Sequence, residues 1–164
     1  SFGMMVVVGN ATADEPLSWS KGAVPANAVV AVVMKDKIPM HICRLPMADK
    51  TLHPGKLVNG NCYVGYEGKE IKMPLKDAEV LASSAPTGWA DVKGGKVPAG
   101  ALKAGVIKGV AMHFCVAKHE DKGFQAGKVY KGNCYYGYGG KEIKTPEIKL
   151  MGLKKGAAVA PAKK

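Results

Sequence analysis

The sequence predicts an all-β protein built from two tandem copies of one unit. The 21 glycines and 10 prolines are spread along the chain, which is typical of many short strands joined by turns. No long stretch shows helical periodicity. The segment Asn61–Lys72 recurs as Asn133–Lys144, 72 residues later. We therefore expect two copies of an antiparallel unit packed about a pseudo-two-fold axis, by analogy with symmetric dimers.

Further matches extend the repeat in the same order along both copies. At the same offset of 72, Met40–Cys43 corresponds to Met112–Cys115. Trp19 pairs with Trp89, and Val24–Ala28 with Val97–Ala101, after small shifts of the offset. These matches predict four regions: an N-terminal strand and lead-in at 1–18, repeats at 19–84 and 85–153, and a disordered basic tail at 154–164.

The strands of each copy follow from local patterns. Met4–Val8 is a short apolar run that predicts the first strand. Two hairpins are expected in the first copy, one across the polar turn Lys35–Lys37 and one across Glu67-Gly68. Their strands are predicted at 28–34, 38–45, 62–66 and 69–73. Pro54-Gly55 predicts a further turn, since proline presets φ and glycine accepts a positive φ. In the second copy Ala126 replaces the proline and Gly127 remains.

The net charge of +11 comes almost entirely from lysine, because Arg44 is the only arginine. Proteins that read nucleic-acid sequence rely on arginine for bidentate contacts. A diffuse lysine surface instead gives salt-sensitive attraction to anions. We therefore expect no specific nucleic-acid partner.

No apolar run approaches the roughly 20 residues that a membrane-spanning helix requires. Met4–Val8 is too short for the apolar core of a signal peptide and lacks a basic flank. The sequence as given predicts a cytoplasmic protein, or a secreted one if a leader has been removed.

The four cysteines occupy two equivalent positions, Cys43/Cys115 and Cys62/Cys134, and lie 19 residues apart within each copy. The absence of a Cys-x-x-Cys pair argues against a zinc site, and no cofactor is expected. The apolar surroundings favour free buried thiols. A disulfide within each copy is the alternative for a secreted protein.

Other candidate groups have both structural and functional interpretations. His41 and His113 are equivalent, but neither has a repeated carboxylate beside it, so strand packing is favoured over metal binding. No nucleophile, base and orienting group repeat together, so we expect no catalytic residues and no enzymatic activity. The hairpin tyrosines could stack on sugars, although sheet packing is favoured. The Lys-Glu pairs at 69–70 and 141–142 could line a polar pocket or hold hairpin ends.

Taken in order, the repeated residues resemble the DM9 repeat family. Each copy has a tryptophan, a Val-Pro segment, a hairpin, a Gly-Lys pair and a terminal Gly-Lys-Glu segment. The first set is Trp19, Val24–Ala28, Pro54-Gly55-Lys56 and Gly68–Glu70; the second is Trp89, Val97–Ala101, Gly127-Lys128 and Gly140–Glu142. The resemblance covers about residues 19–153 and implies a tandem pair of antiparallel β units.

Characterised members of this family include mannose-binding lectins of invertebrate innate immunity. In those proteins the lysine of the Pro-Gly-Lys segment binds sugar hydroxyls together with an aspartate of the preceding hairpin. Lys56 and Lys128 match the lysine, whereas the aspartate position falls at about Met34 and Ile107. Asp36 lies close by in the first copy. A lysine without that aspartate is better suited to an anionic ligand.

Two functional hypotheses follow from this resemblance. The first is a non-enzymatic carbohydrate-binding protein for mannose-type or anionic glycans. Its predicted ligand-binding residues are Lys56, Lys128, Gly55, Gly127 and Asp36, with the glycines contributing backbone groups. The second is an interaction protein that keeps the lectin-like fold and binds an acidic protein or membrane surface. A homodimer is compatible with either hypothesis.

Overall fold

The computed structural model describes residues 16–92, 97–98, 100–146 and 148–153. These residues form antiparallel strands and two short 3₁₀ turns, Lys35–Lys37 and Leu75–Asp77. The strands are β1 (Leu17–Lys21), β2 (Val30–Val33), β3 (Pro39–Pro46), β4 (Leu52–Val58), β5 (Asn61–Tyr66), β6 (Lys69–Pro74), β7 (Glu79–Ser83), β8 (Thr87–Val92), β9 (Lys103–Ile107), β10 (Val110–Lys118), β11 (Phe124–Tyr130), β12 (Asn133–Tyr138), β13 (Lys141–Thr145) and β14 (Ile148–Leu153). The all-β prediction is confirmed.

The expected strand Met4–Val8 and the expected tail at 154–164 lie outside the described residues. Within the described ranges, no helix has the length and apolar character needed to cross a membrane.

All the strands belong to one sheet. Its order is β1-β7-β3-β4-β5-β6-β13-β12-β11-β10-β14-β8, with β2 paired to β3 and β9 paired to β10. The two halves of this order meet where Lys69 of β6 pairs with Lys141 of β13. Counted outward from that junction, the equivalent strands of the two copies follow one another in the same order. The pseudo-two-fold axis and the exact repeat boundaries stay predictions.

The two predicted hairpins of the first copy form as expected. Between β2 and β3 the chain turns at Lys35–Lys37, where Asp36 and Lys37 have φ values of 64° and 62°. Between β5 and β6 it turns at Glu67-Gly68, with φ values of 49° and 85°. Positive φ at both central residues matches the twist of the flanking strands.

The turn predicted at Pro54-Gly55 is wrong, because both residues lie inside β4. Gly127 likewise lies inside β11. Glycine is needed there for space: a Cβ on Gly55 would lie 2.0 Å from the carbonyl oxygen of Tyr63, and one on Gly127 would lie 2.0 Å from that of Tyr135. The Gly-Lys pair therefore marks a close approach of two backbones within the sheet.

The prediction of free thiols is also wrong, since Cys43 bonds to Cys62 and Cys115 to Cys134. Cys43 lies on β3 and Cys62 on β5, two strands that both pair with β4. In a flat sheet such strands are about 9.5 Å apart, whereas these Cα atoms are 6.0 Å apart. The sheet therefore curls at β4, a feature that cysteine spacing in the sequence does not reveal.

The described residues form a core of three apolar clusters. The central cluster combines residues of both copies, including Ile42 and Leu81 with Met112 and Phe114. Each of the other clusters surrounds one disulfide. The tryptophans join the copies: the ring of Trp19 lies 6.1 Å from that of Phe114, and Trp89 Nε1 donates to the carbonyl of Ala31. Both contacts therefore cross between the copies.

Candidate functional site

Two cavities lie between the copies, one at Lys56 and the other at Lys128. The Lys56 cavity has a volume of about 830 Å³ and the Lys128 cavity about 300 Å³. Each takes a lysine, a tyrosine and a glutamate from one copy and further side chains from the other. Corresponding residues are Lys56 and Lys128, Tyr63 and Tyr135, Glu70 and Glu142, Tyr138 and Tyr66, Asp121 and Asp49, Gln125 and His53, Val58 and Tyr130.

Lys56 points from β4 into the first cavity and is only 7% exposed. Its Nζ donates a hydrogen bond to Oε1 of Gln125 at 2.6 Å and lies 4.8 Å from the ring centre of Tyr138. Burial lowers the pKa of Lys56 to about 8, against the opposing effect of the Glu70 carboxylate. The ammonium is therefore mostly charged at pH 7.

Lys128 holds the equivalent position on β11 and is 5% exposed. Its Nζ donates to the carbonyl of Gly65 and to Nδ1 of His53, both at 2.6 Å. Oε2 of Glu142 lies 3.8 Å from the same nitrogen. Burial again lowers the pKa of Lys128 to about 8, while Glu142 opposes the shift.

His53 is the group that distinguishes the second cavity from the first. Burial, reinforced by the charge of Lys128, lowers the pKa of His53 to about 4. The imidazole is therefore neutral at pH 7, with Nδ1 accepting from Lys128 and Nε2 2.9 Å from Oγ1 of Thr51. Thr51 Oγ1 in turn donates to Asp49. This chain of hydrogen bonds fixes the tautomer of His53 and the position of Lys128.

Replacing His53 with glutamine, the residue at the equivalent position of the other cavity, should make the protein less sensitive to acid. The native pKa of about 4 lies below the unfolded value of 6.5. The unfolded chain therefore binds the proton more readily, and native stability falls as pH drops from about 6.5 towards 4. Urea unfolding at pH 7 and pH 4.5 should show a smaller difference for His53→Gln than for wild type. If the loss of stability between pH 7 and pH 4.5 were equal in the two proteins, the lowered pKa of His53 would be contradicted.

Glu70 and Glu142 line the cavities and also join the copies. Oε1 of Glu70 accepts from the backbone N–H of Gly140 at 2.9 Å, and Oε1 of Glu142 accepts from that of Gly68 at 3.0 Å. Backbone hydrogen bonds between the same segments accompany both contacts. Both interpretations of the Lys-Glu pairs therefore describe these glutamates: they line polar cavities, and they also hold the ends of the hairpins.

The structure separates the five predicted ligand-binding residues. Lys56 and Lys128 line the cavities. Gly55 and Gly127 are buried and sit against neighbouring backbone, and neither is among the residues that line the two cavities. Asp36 is exposed in its turn and is also not part of that lining.

Met34 and Ile107, at the position of the family aspartate, do line their respective cavities. This position therefore faces a cavity in both copies, but it carries an apolar side chain in each.

Sequence reasoning missed Gln125 and His53, the direct partners of the two lysines. Each comes from the opposite copy, and the lysine-partner separations are 69 and 75 residues. No local sequence pattern predicts a contact between residues so far apart in the chain. Within the described ranges, no cluster of three His, Cys, Asp or Glu residues is arranged to hold a metal ion.

Comparison with known proteins agrees with this architecture. The crystal structure of the nematode sperm cell motility protein MFP2B is similar to this chain, with a TM-score of 0.59 and 14% sequence identity. The match covers 88% of this chain and 46% of that one, so this chain spans less than half the length of its structural relative. No match was found among curated proteins. The family model described as DM9 repeat matches residues 34–145, most of the chain, and the protein therefore belongs to the DM9 repeat family.

Proposed function

We propose that this protein is a non-enzymatic carbohydrate-binding protein with one ligand site in each cavity. The observation that carries the proposal is the reciprocal pair of cavities, each combining a buried lysine, a glutamate and tyrosine rings. A lysine ammonium donates to sugar hydroxyls, and a carboxylate accepts from them. Tyrosine faces pack against the apolar side of a sugar ring.

The glutamates compensate for the missing family aspartate. Met34 and Ile107 lack a carboxylate that could accept hydrogen bonds from sugar hydroxyls. Glu142, however, places Oε2 at 3.8 Å from Nζ of Lys128, so an acceptor and a donor already face one position. Glu70 occupies the equivalent lining position beside Lys56. A hydroxyl pair on a sugar would bridge the two groups in each cavity.

The charges of the two cavities favour different sugars. The Lys56 cavity is lined by three lysines and two carboxylates, namely Lys35, Lys56, Lys122, Glu70 and Asp121. The Lys128 cavity has two lysines and three carboxylates, namely Lys108, Lys128, Asp49, Glu67 and Glu142. An anionic sugar is therefore better suited to the first cavity, and a neutral mannose-type sugar to the second.

Substituting the two lysines tests the proposal. Isothermal titration with mannose and mannose 6-phosphate should show saturable binding, with the phosphosugar favouring the Lys56 cavity. Lys56→Met should weaken phosphosugar binding by about 30-fold or more, because a charge-assisted hydrogen bond is worth about 2 kcal/mol. Lys128→Met should weaken mannose binding similarly. Lys21→Met, at an exposed position on β1, is the matched control. No saturable heat, or equal affinity in all variants, would refute the proposal.

The pH dependence of phosphosugar binding offers a separate check. Because the pKa of Lys56 is about 8, raising the pH from 7 to 9 neutralises most of its charge. The phosphate keeps its charge over this range. We expect affinity for mannose 6-phosphate to fall about tenfold between pH 7 and pH 9. A constant affinity up to pH 9 would place the phosphate away from Lys56.

The two disulfides bear on where the protein acts. Disulfides persist mainly in oxidising compartments, so they favour the secreted alternative over a cytoplasmic location. Recognition of extracellular glycans, including a role in innate immunity, fits that setting.

An interaction protein for an acidic surface is the second candidate. It is favoured by the net charge of +11 and by structural similarity to a motility protein. A specific partner should remain bound in a pull-down at about 0.2 M salt, at which exposed charges are strongly screened. A partner lost at that salt concentration would indicate diffuse electrostatic attraction alone.

A further inference from the structure

The Lys56 cavity is larger than the Lys128 cavity, and it has more apolar lining. Its volume is about 830 Å³ against 300 Å³. Its aliphatic and phenylalanine side chains are Val32, Met34, Met40, Val58 and Phe124. Among the described residues that line the Lys128 cavity, Ile107 is the single one of this type, beside three tyrosines. The two cavities therefore share a buried lysine, a glutamate and tyrosine rings but differ in the apolar space next to them.

One residue that differs between the copies contributes directly to the difference in apolar space. Val58 follows Lys56 by two residues on β4, and Tyr130 follows Lys128 by two on β11. Residues two apart on a strand face the same side of the sheet. Val58 and Tyr130 therefore stand next to their lysines, and the larger tyrosine takes up space that valine leaves open.

The apolar side of the Lys56 cavity reaches the protein core. Val32 and Met40 are each 1% exposed and belong to the central cluster shared by the two copies. Phe124, half-buried, packs against the same cluster. A cavity of this volume that combines a few polar groups with an apolar wall is typical of sites for ligands larger than one small polar molecule.

We propose that the Lys56 cavity binds a glycoside whose aglycone is an alkyl or aryl group. The sugar contacts Lys56, Glu70 and Tyr138, and the aglycone packs against Met34, Val58 and Phe124, the apolar lining residues that are only half-buried. The Lys128 cavity accommodates a sugar alone. This inference rests on the proposed carbohydrate-binding function and adds the class of ligand that one of its two sites prefers.

Matched methyl and octyl glycosides of mannose and glucose test the inference by isothermal titration below the micelle concentration. Each methylene that leaves water adds about fourfold to affinity. The octyl glycoside should therefore bind at least tenfold more tightly than its methyl counterpart at one site of the wild-type protein. Val58→Tyr should remove that gain, so that the octyl and methyl glycosides bind with equal affinity. Tyr130→Val should create a second site with a preference for the octyl compound.

The outcomes separate this inference from the function on which it rests. Binding of methyl glycosides without a gain for octyl glycosides overturns the inference and leaves carbohydrate binding intact. No binding of any of the four compounds overturns the inference, and if mannose 6-phosphate also fails to bind, the proposed function is overturned with it. An octyl gain that survives Val58→Tyr places the alkyl chain elsewhere and overturns the inference. If urea unfolding shows that Val58→Tyr does not fold, Met34→Asp is the second test. A charge in the apolar lining should abolish the gain in affinity for the octyl glycoside. An unchanged gain would show that the alkyl chain does not bind in the Lys56 cavity.

Discussion

Replacing Gly127 with alanine is expected to lower the free energy of unfolding by about 3 kcal/mol or more. The added Cβ would lie 2.0 Å from the carbonyl oxygen of Tyr135 and 2.9 Å from Cβ of Tyr136. Neither atom can move without shifting the backbone of β12. Because Lys128 is the next residue, the same shift would displace its Nζ from His53, so ligand binding in that cavity should be lost as well.

Urea unfolding followed by circular dichroism measures this effect. Gly55→Ala should behave in the same way, since its Cβ would lie 2.0 Å from the carbonyl oxygen of Tyr63. Gly100→Ala is the matched control, because a Cβ there meets no heavy atom within 4 Å. Its stability should stay within about 0.5 kcal/mol of wild type. A similarly small change for Gly127→Ala would contradict the close backbone approach described for β11.

Removing the second disulfide is expected to cost about 3 kcal/mol of stability. Cys115 and Cys134 are separated by 19 residues, and a cross-link that closes a loop of this size restricts the unfolded chain by about that amount. The Cys115→Ala/Cys134→Ala double variant also loses two fully buried sulfur atoms from an apolar cluster. The change should therefore be at least as large as the loop-closure effect alone.

Two comparisons check the disulfide assignment. The Cys43→Ala/Cys62→Ala variant removes the equivalent bond and should lose a similar amount of stability. A reducing agent should destabilise the wild type strongly and each double variant less, since each retains one bond. Thiol titration of the denatured, unreduced wild type should detect no free cysteine among these four positions. Detection of four thiols would refute both bonds.

Local patterns were enough to predict much of the fold. The hairpin across Glu67-Gly68 was predictable because its two central residues must adopt positive φ and its flanks alternate as strands do. Pro54-Gly55 misled for the same reason: the pair is typical of a turn, yet Gly55 is required by a neighbouring carbonyl oxygen inside β4. A dipeptide preference cannot distinguish a glycine needed for its φ from one needed for space.

The sequence by itself determined the duplication, the all-β class, most strands and the pairing of Lys56 with Lys128, because these follow from repeated residues and preferences of near neighbours. The tertiary structure decided which side chains surround those lysines. Gln125 reaches Lys56, and His53 reaches Lys128, only because the two copies pack against each other. The disulfides likewise depend on the curl that brings β3 to β5. Such contacts depend on sheet curvature and packing between distant segments, which local residue preferences do not encode.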